Sequence, residues 1–210
     1  GGAGVTVLAA SIAAGSARRD GRAVLVDLCG DAPAVLGLPE PRGPGVRDWL
    51  ASGRSGPDAL QRLLVPAADG LSLLPCGNPS VDPWEPVRAE ELADALLALD
   101  PVVVIDAGRC GGPSFGTAHD DLVGVLGRHG RSYLVTRPCY VALRRGVSVD
   151  VAADGVVLVR EPGRCLDGRD VSDVLSLPVV AEVELDPAIA RSVDGGLLTR
   201  RPHRGLERSL

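Results

Sequence analysis

The sequence predicts an α/β fold with a doubly wound, mostly parallel sheet. Six short apolar runs, the first closing on an acid, have the pattern of strands covered on both faces. These runs alternate with helical stretches of about 7 to 15 residues, the rhythm of a parallel sheet with crossover helices. The 210 residues are 45% hydrophobic and 23% charged, with a mean hydropathy of +0.17. That suffices for a sizeable core, and one domain spanning 1–210 is the default for a layered fold of this length. Aromatic residues are only 2%, so Ala, Val and Leu must build the core, and stacking platforms for single-stranded nucleic acid are excluded.

The elements follow in order. The chain opens Gly1-Gly2-Ala3-Gly4-Val5-Thr6, directly ahead of an apolar stretch over 5–19 that ends in Arg18-Arg19-Asp20-Gly21. Cations in the last turn and a glycine stop mark a buried helix. Residues 22–27 form the first strand, closing on Asp27, and further strands are expected at 71–75, 101–106, 132–136, 155–160 and 178–183. Helices are expected at 46–52, 57–64, 86–99, 117–128, 138–149, 169–175 and 186–193. The Pro/Gly-rich stretches 39–45 and 76–86 are short enough to be surface loops, and Trp49 and Trp84, in or beside them, are read as local lids over the sheet edge. Arg144 and Arg145 belong to an exposed helix face, and His119 and His129 have no partner suited to a catalytic dyad.

Charge narrows the chemistry. The sum of 22 basic and 27 acidic residues is −5, and every basic residue is arginine. Lysine chemistry, from a phosphate-loop ammonium to a Schiff base, is therefore excluded. The acidic balance argues against nucleic-acid or anionic-membrane binding by net charge. A local cluster, Arg200, Arg201, His203, Arg204 and Arg208, reads first as a solvated final helix, with DNA or membrane contact as the weaker alternative. Five scattered cysteines, at 29, 76, 110, 139 and 165, without a C-x-x-C pair, suggest reduced thiols and a cytoplasmic protein. No apolar run reaches the roughly 18 to 20 residues of a membrane span. Methionine is absent, so the chain is expected to be an N-terminally truncated stretch of a longer one.

A glycine-rich turn feeding a helix N-terminus aims backbone N–H groups and the positive dipole end at one point, which suits a phosphate. With Val24-Leu25-Val26-Asp27 and Val102-Val103-Val104-Ile105-Asp106 following in order, the chain resembles the MinD/ParA family of deviant Walker-A ATPases. Gly1, Gly2, Gly4 and Thr6 match its K-G-G-x-G-K-[ST]-T pattern. Val26-Asp27-Leu28-Cys29 resembles its V-D-x-D, 102–106 its Walker-B strand, Leu134-Val135-Thr136-Arg137-Pro138 its L-V-T-x-P, and 178–186 its P-[VL]-x-x-x-I-P-x-D. The resemblance implies a P-loop NTPase fold of the SIMIBI type whose first strand, between 102–106 and 132–136, is missing from this chain. Those two segments are therefore expected not to pair directly.

The departures point away from catalysis. Val5 stands where the family has its phosphate-binding lysine, and Cys29 where it has the second acid, which positions the attacking water. Arg160 stands where an asparagine reads adenine, and Glu184 where a proline lines the base. The resemblance implies a vestigial or weak nucleotide site at Gly1, Gly2, Gly4, Val5, Thr6, Asp27, Asp106, Arg160 and Asp186, with no catalytic residue. Thr6, Asp27 and Asp106 would hold magnesium; the alternative is that the two acids merely cap loops and Thr6 is a helix-end residue. ATP and Mg are the implied cofactors, or none is bound. Two functions follow: a spatial-positioning or regulatory scaffold for cell division, partitioning or pilus and secretion localisation, with lost or very weak hydrolysis, or a slow ATPase switch that dimerises on ATP. Protein partners and a homodimer are implied, in the cytoplasm, with recruitment to a pole, septum or membrane surface.

Overall fold

The computed structural model describes residues 2–78, 84–110, 116–149 and 152–200. Helix α1 (Val5–Asp20) begins at Gly4 and stops at Gly21, both in the left-handed conformation, with Arg18 and Arg19 in its last turn. Strand β1 (Ala23–Asp27) follows, then the short helices α2 (Ala32–Leu36), α3 (Val46–Ala51) and α4 (Pro57–Gln61). The hairpin β2 (Val65–Ala68) and β3 (Leu71–Leu74) leads through α5 (Val87–Leu97) to β4 (Val102–Asp106). The second half runs α6 (Gly116–Arg128), β5 (Tyr133–Thr136), α7 (Tyr140–Gly146), β6 (Gly155–Arg160), α8 (Gly168–Leu175), β7 (Val179–Glu184) and α9 (Pro187–Asp194).

All six expected strands form, within a residue or so of their expected ends. Two short elements, α2 and β2, add to the expectation. β2 carries Pro66, which is tolerated because β2 is an edge strand paired antiparallel to β3. Every other ladder is parallel. The strands divide between two sheets, β2-β3-β1-β4 and β5-β6-β7. β4 and β5 thus lie in different sheets and share no ladder, as expected. Both are only partly covered, with Val102 and Tyr133 exposed, whereas β1 is buried along its whole length.

Alternation along each strand sends its side chains to two cores. Val24, Val26, Val103 and Ile105 face α3, α5 and α6, together with Leu50, Leu92 and Leu122. Leu25 and Val104 face α1, whose Ala9, Ala10, Ala13 and Ala17 present a smooth stripe that lets the helix lie close to β1 and β3. The same helix turns Leu8 and Ile12 to Val135, Val157 and Val183 of the other sheet. One helix therefore packs on both sheets, and its N-terminal end is held at the carboxyl ends of their strands.

Trp49 and Trp84 are core residues and not lids over the sheet edge. They are only 3% and 9% exposed, because each is covered by a buried arginine. The Arg88 guanidinium lies 3.9 Å from the Trp49 ring centroid, and that of Arg47 5.9 Å from Trp84. Arg88 also donates to the carbonyls of Trp49 (2.9 Å), Ser55 (3.1 Å) and Leu50 (3.4 Å). Arg144 and Arg145 are exposed as expected. His119 is buried, its Nε2 2.9 Å from the Ala107 carbonyl oxygen. Among the described residues no helix is long and apolar enough to cross a membrane.

Candidate functional site

The glycine turn has the geometry of an anion cradle. Gly2 and Gly4 have φ of 92° and 88°, a region that side-chain-bearing residues avoid and that turns successive N–H groups inward. Gly4 caps α1 without a side chain, and the first turn holds no acid. The leading N–H groups of a helix have no partner within it, and over 16 residues the aligned peptides place partial positive charge at this end. Gly1 lies outside the described residues, as do Arg201, His203, Arg204 and Arg208 of the basic cluster.

The two strand-end acids stand side by side because β1 and β4 pair in register, with Asp27 opposite Asp106. Both are fully buried. Asp27 is consumed by its own loop: Oδ1 accepts from the Cys29 and Gly30 N–H groups (2.9 and 2.7 Å) and Oδ2 from that of Ala32 (3.0 Å). Burial still raises its pKa against those three bonds. Asp106 is different. Its Oδ1 accepts from the Gly108 N–H (3.0 Å), while Oδ2 is buried with no hydrogen-bond partner. Burial raises the pKa of Asp106; the Thr6 hydroxyl, close by, and the Gly108 N–H oppose this, and the Asp27 charge reinforces it.

A buried carboxylate oxygen without a partner, beside a hydroxyl in the first turn of a helix, suits a hard divalent cation. Thr6 and Asp106 would be its direct ligands, and Asp27 a second negative charge behind them. Among the described residues no three His, Cys, Asp or Glu side chains gather as a metal site, so the fit rests on Thr6 and Asp106.

Cys29 sits between the acids but cannot act as one. Burial first, then the charges of Asp106 and Asp27, push its thiol well above the ordinary range, so it stays neutral. Its Sγ is 4.0 Å from the Asp106 carbonyl oxygen. Gly108, at φ 64°, leaves it room: a Cβ there would lie 2.0 Å from Sγ.

The remaining candidates gather elsewhere. Arg160 and Glu184 are register neighbours at the carboxyl ends of β6 and β7. The arginine pairs with Glu182 (3.1 Å) and Glu184 (3.8 Å), all three exposed. Asp186 caps α9, accepting from the Ala188 N–H (2.7 Å). Sequence reasoning missed Arg137, which leaves the end of β5 and donates through Nη2 to the Gly2 carbonyl. No sequence signal marks it beyond its place inside Leu134-Val-Thr-Arg-Pro138.

Comparison with solved structures fits this arrangement. The ParA family ATPase of Chlorobium tepidum superposes with a TM-score of 0.77 at 20% identity, covering 100% of this chain and 91% of that one. The chain has the MinD/ParA fold. The septum site-determining protein MinD of Pyrococcus horikoshii, solved with Mg-ADP, gives 0.71 at 20% identity, covering 100% and 88%. The cell division ATPase MinD of Pyrococcus furiosus gives 0.71 at 24%, covering 99% and 92%. No protein-family model and no curated protein matches the chain. In the MinD/ParA fold shared here, the glycine turn and the two acids lie at the carboxyl ends of parallel strands, where α/β sheets gather ligands.

Proposed function

We propose that this chain is a degenerate MinD/ParA-like domain that binds a magnesium nucleotide weakly and acts as a positioning or regulatory scaffold, with hydrolysis lost or nearly so. The observation that carries the reading is the contrast within one site. The uncapped glycine turn and the unpartnered Asp106 Oδ2 beside Thr6 keep the means of holding phosphates and a cation, while Val5 and the neutral Cys29 thiol remove two catalytic groups.

The residues act as follows. Gly2 and Gly4 would orient N–H groups toward the phosphates. Thr6 and Asp106 would hold the cation, which would supply neutralisation of phosphate charge, and Asp27 holds the loop behind them. Val5 itself offers transition-state charge no compensation, where a cation at that position would be worth about 3 kcal/mol or more, and no carboxylate at position 29 would orient water. The Mg-ADP complex of Pyrococcus horikoshii MinD on the same fold supports the choice of ligand. Bound nucleotide would then act through protein partners or a second copy of the chain, in the cytoplasm and with recruitment to a pole, septum or membrane surface.

Calorimetric titration with Mg-ATP, Mg-ADP and Mg-GTP, paired with phosphate release, tests the proposal. Binding with turnover at background is expected. Robust turnover would overturn it in favour of a working ATPase switch, and absence of binding would overturn the nucleotide-binding reading.

A further inference from the structure

We propose that Arg137 is the phosphate-binding cation of this site, supplied from the β5–α7 connection in place of the charge that α1 lacks at Val5. The proposal rests on the reading of the glycine turn as a polyphosphate site and names the group that makes it one. Arg137 is placed with little freedom: Thr136 before it and Pro138 after it are both buried, and proline restricts the backbone of the residue it follows. From there the guanidinium reaches the glycine turn, 135 residues away in the chain. Nη2 donates to the Gly2 carbonyl, and a Cβ built on Gly2 would lie 4.0 Å from that same nitrogen.

The decisive feature is Nε, which is buried without a hydrogen-bond partner. A buried N–H of a charged group is rarely left unmatched unless something else fills the position. Here an anion on the turn would do so. Guanidinium offers planar paired donors that fit two phosphate oxygens. Two features thus meet at the glycine turn: the end of α1, opened by left-handed Gly2 and Gly4 without a side-chain cap, and an arginine whose Nη2 reaches Gly2 and whose Nε is a spare buried donor. The second, cation-seeking element is close by: Asp106 at the end of β4 lies beside Thr6, which is in the first turn of α1. A nucleoside di- or triphosphate with magnesium satisfies both signs, whereas a single phosphate leaves one of them unanswered.

The test uses the whole chain with Arg137→Gln, which keeps a donor for the Gly2 carbonyl without charge, and Arg137→Lys, which keeps the charge without the fork. Probes are Mg-ADP and magnesium pyrophosphate, by calorimetry, with thermal melting of the apo forms alongside. R137Q is expected to bind both probes about 10-fold or more weakly, with an unchanged melting temperature, and R137K to fall between R137Q and the native chain. Native-like binding by R137Q overturns the role of Arg137 and leaves the nucleotide reading standing. Failure of the native chain to bind either probe overturns that reading and this proposal with it. If R137Q melts early, R137K decides: at native stability, intermediate or native binding supports the charge, and a loss of about 10-fold overturns it.

Discussion

Asp106→Asn should make the apo protein more stable while removing its response to magnesium nucleotide. The carboxylate is fully buried, with Oδ1 satisfied by Gly108, Oδ2 without a hydrogen-bond partner, and the Thr6 hydroxyl close by. Its pKa is raised in the fold, so its contribution to stability is complete below the unfolded value of 3.8 and is lost as pH rises through the folded one. At neutral pH the ionised group is a burden, and a neutral amide of the same shape removes it. Burying an unpartnered charge costs more than burying a neutral amide in its place, a difference of about 1–3 kcal/mol, and in a chain of this size each kcal/mol moves the midpoint by about 2–4 °C. The variant should therefore melt about 2–12 °C higher without ligand at pH 7. The native chain gains about 2.7 kcal/mol at ligand 100-fold above Kd, a rise of about 5–10 °C, and the variant should lose most of it. Differential scanning calorimetry with and without Mg-ADP separates the two effects. An apo variant that melts at or below the native chain, or that keeps the full ligand shift, would refute the assignment of Asp106 as a buried, unfilled ligand.

Three further outcomes follow. Val5→Lys alone should leave phosphate release at background, because the Cys29 thiol still supplies no carboxylate; turnover restored by the single change, before Cys29→Asp is added, would show that position 29 is irrelevant. Arg88→Met should destabilise by about 2–4 kcal/mol, since three carbonyls lose their donor and Trp49 loses its stacked cation; a drop under about 2 °C in melting temperature would contradict this. The Asp170 N–H first, with that of Arg169, holds the Asp167 carboxyl below its usual 3.8, so its contribution is present above 3.8 and is lost as pH falls through the lower folded value. Asp167→Asn keeps an acceptor at all pH values, and its melting temperature relative to the native chain should rise between pH 5 and pH 2.5; a constant difference would rule out the cap as the cause.

The strand-end acids were legible in the sequence because a strand buried on both faces reads as an unbroken apolar run, and Asp27 and Asp106 interrupt theirs at the end. The glycine turn was legible for a similar reason, since Gly-Gly-Ala-Gly ahead of an apolar stretch is a local signal. Trp49, Trp84 and Arg88 were not. Periodicity assigns a charged residue to the solvent side of a helix, and only packing reveals that Arg88 covers Trp49 and ties down three carbonyls. Short α2 and edge strand β2 have too few residues for a period to show, and they exist because β3, α1 and α9 give them a surface to lie on.

What the chain determines by itself is therefore local: which segments are strands and helices, where they stop, and which chemical groups stand at their ends. Those depend on alternation, capping and backbone conformation, all set within a few residues. Whether the groups meet is a matter of register and packing between distant segments. The pairing of β1 with β4 sets Asp27 beside Asp106, the pairing of β6 with β7 sets Arg160 beside Glu184, and the packing of α1 across both sheets brings Gly2 to Arg137. A single arginine between a threonine and a proline carries no local mark of a phosphate ligand, because its meaning comes from a turn 135 residues earlier that only the folded chain places against it.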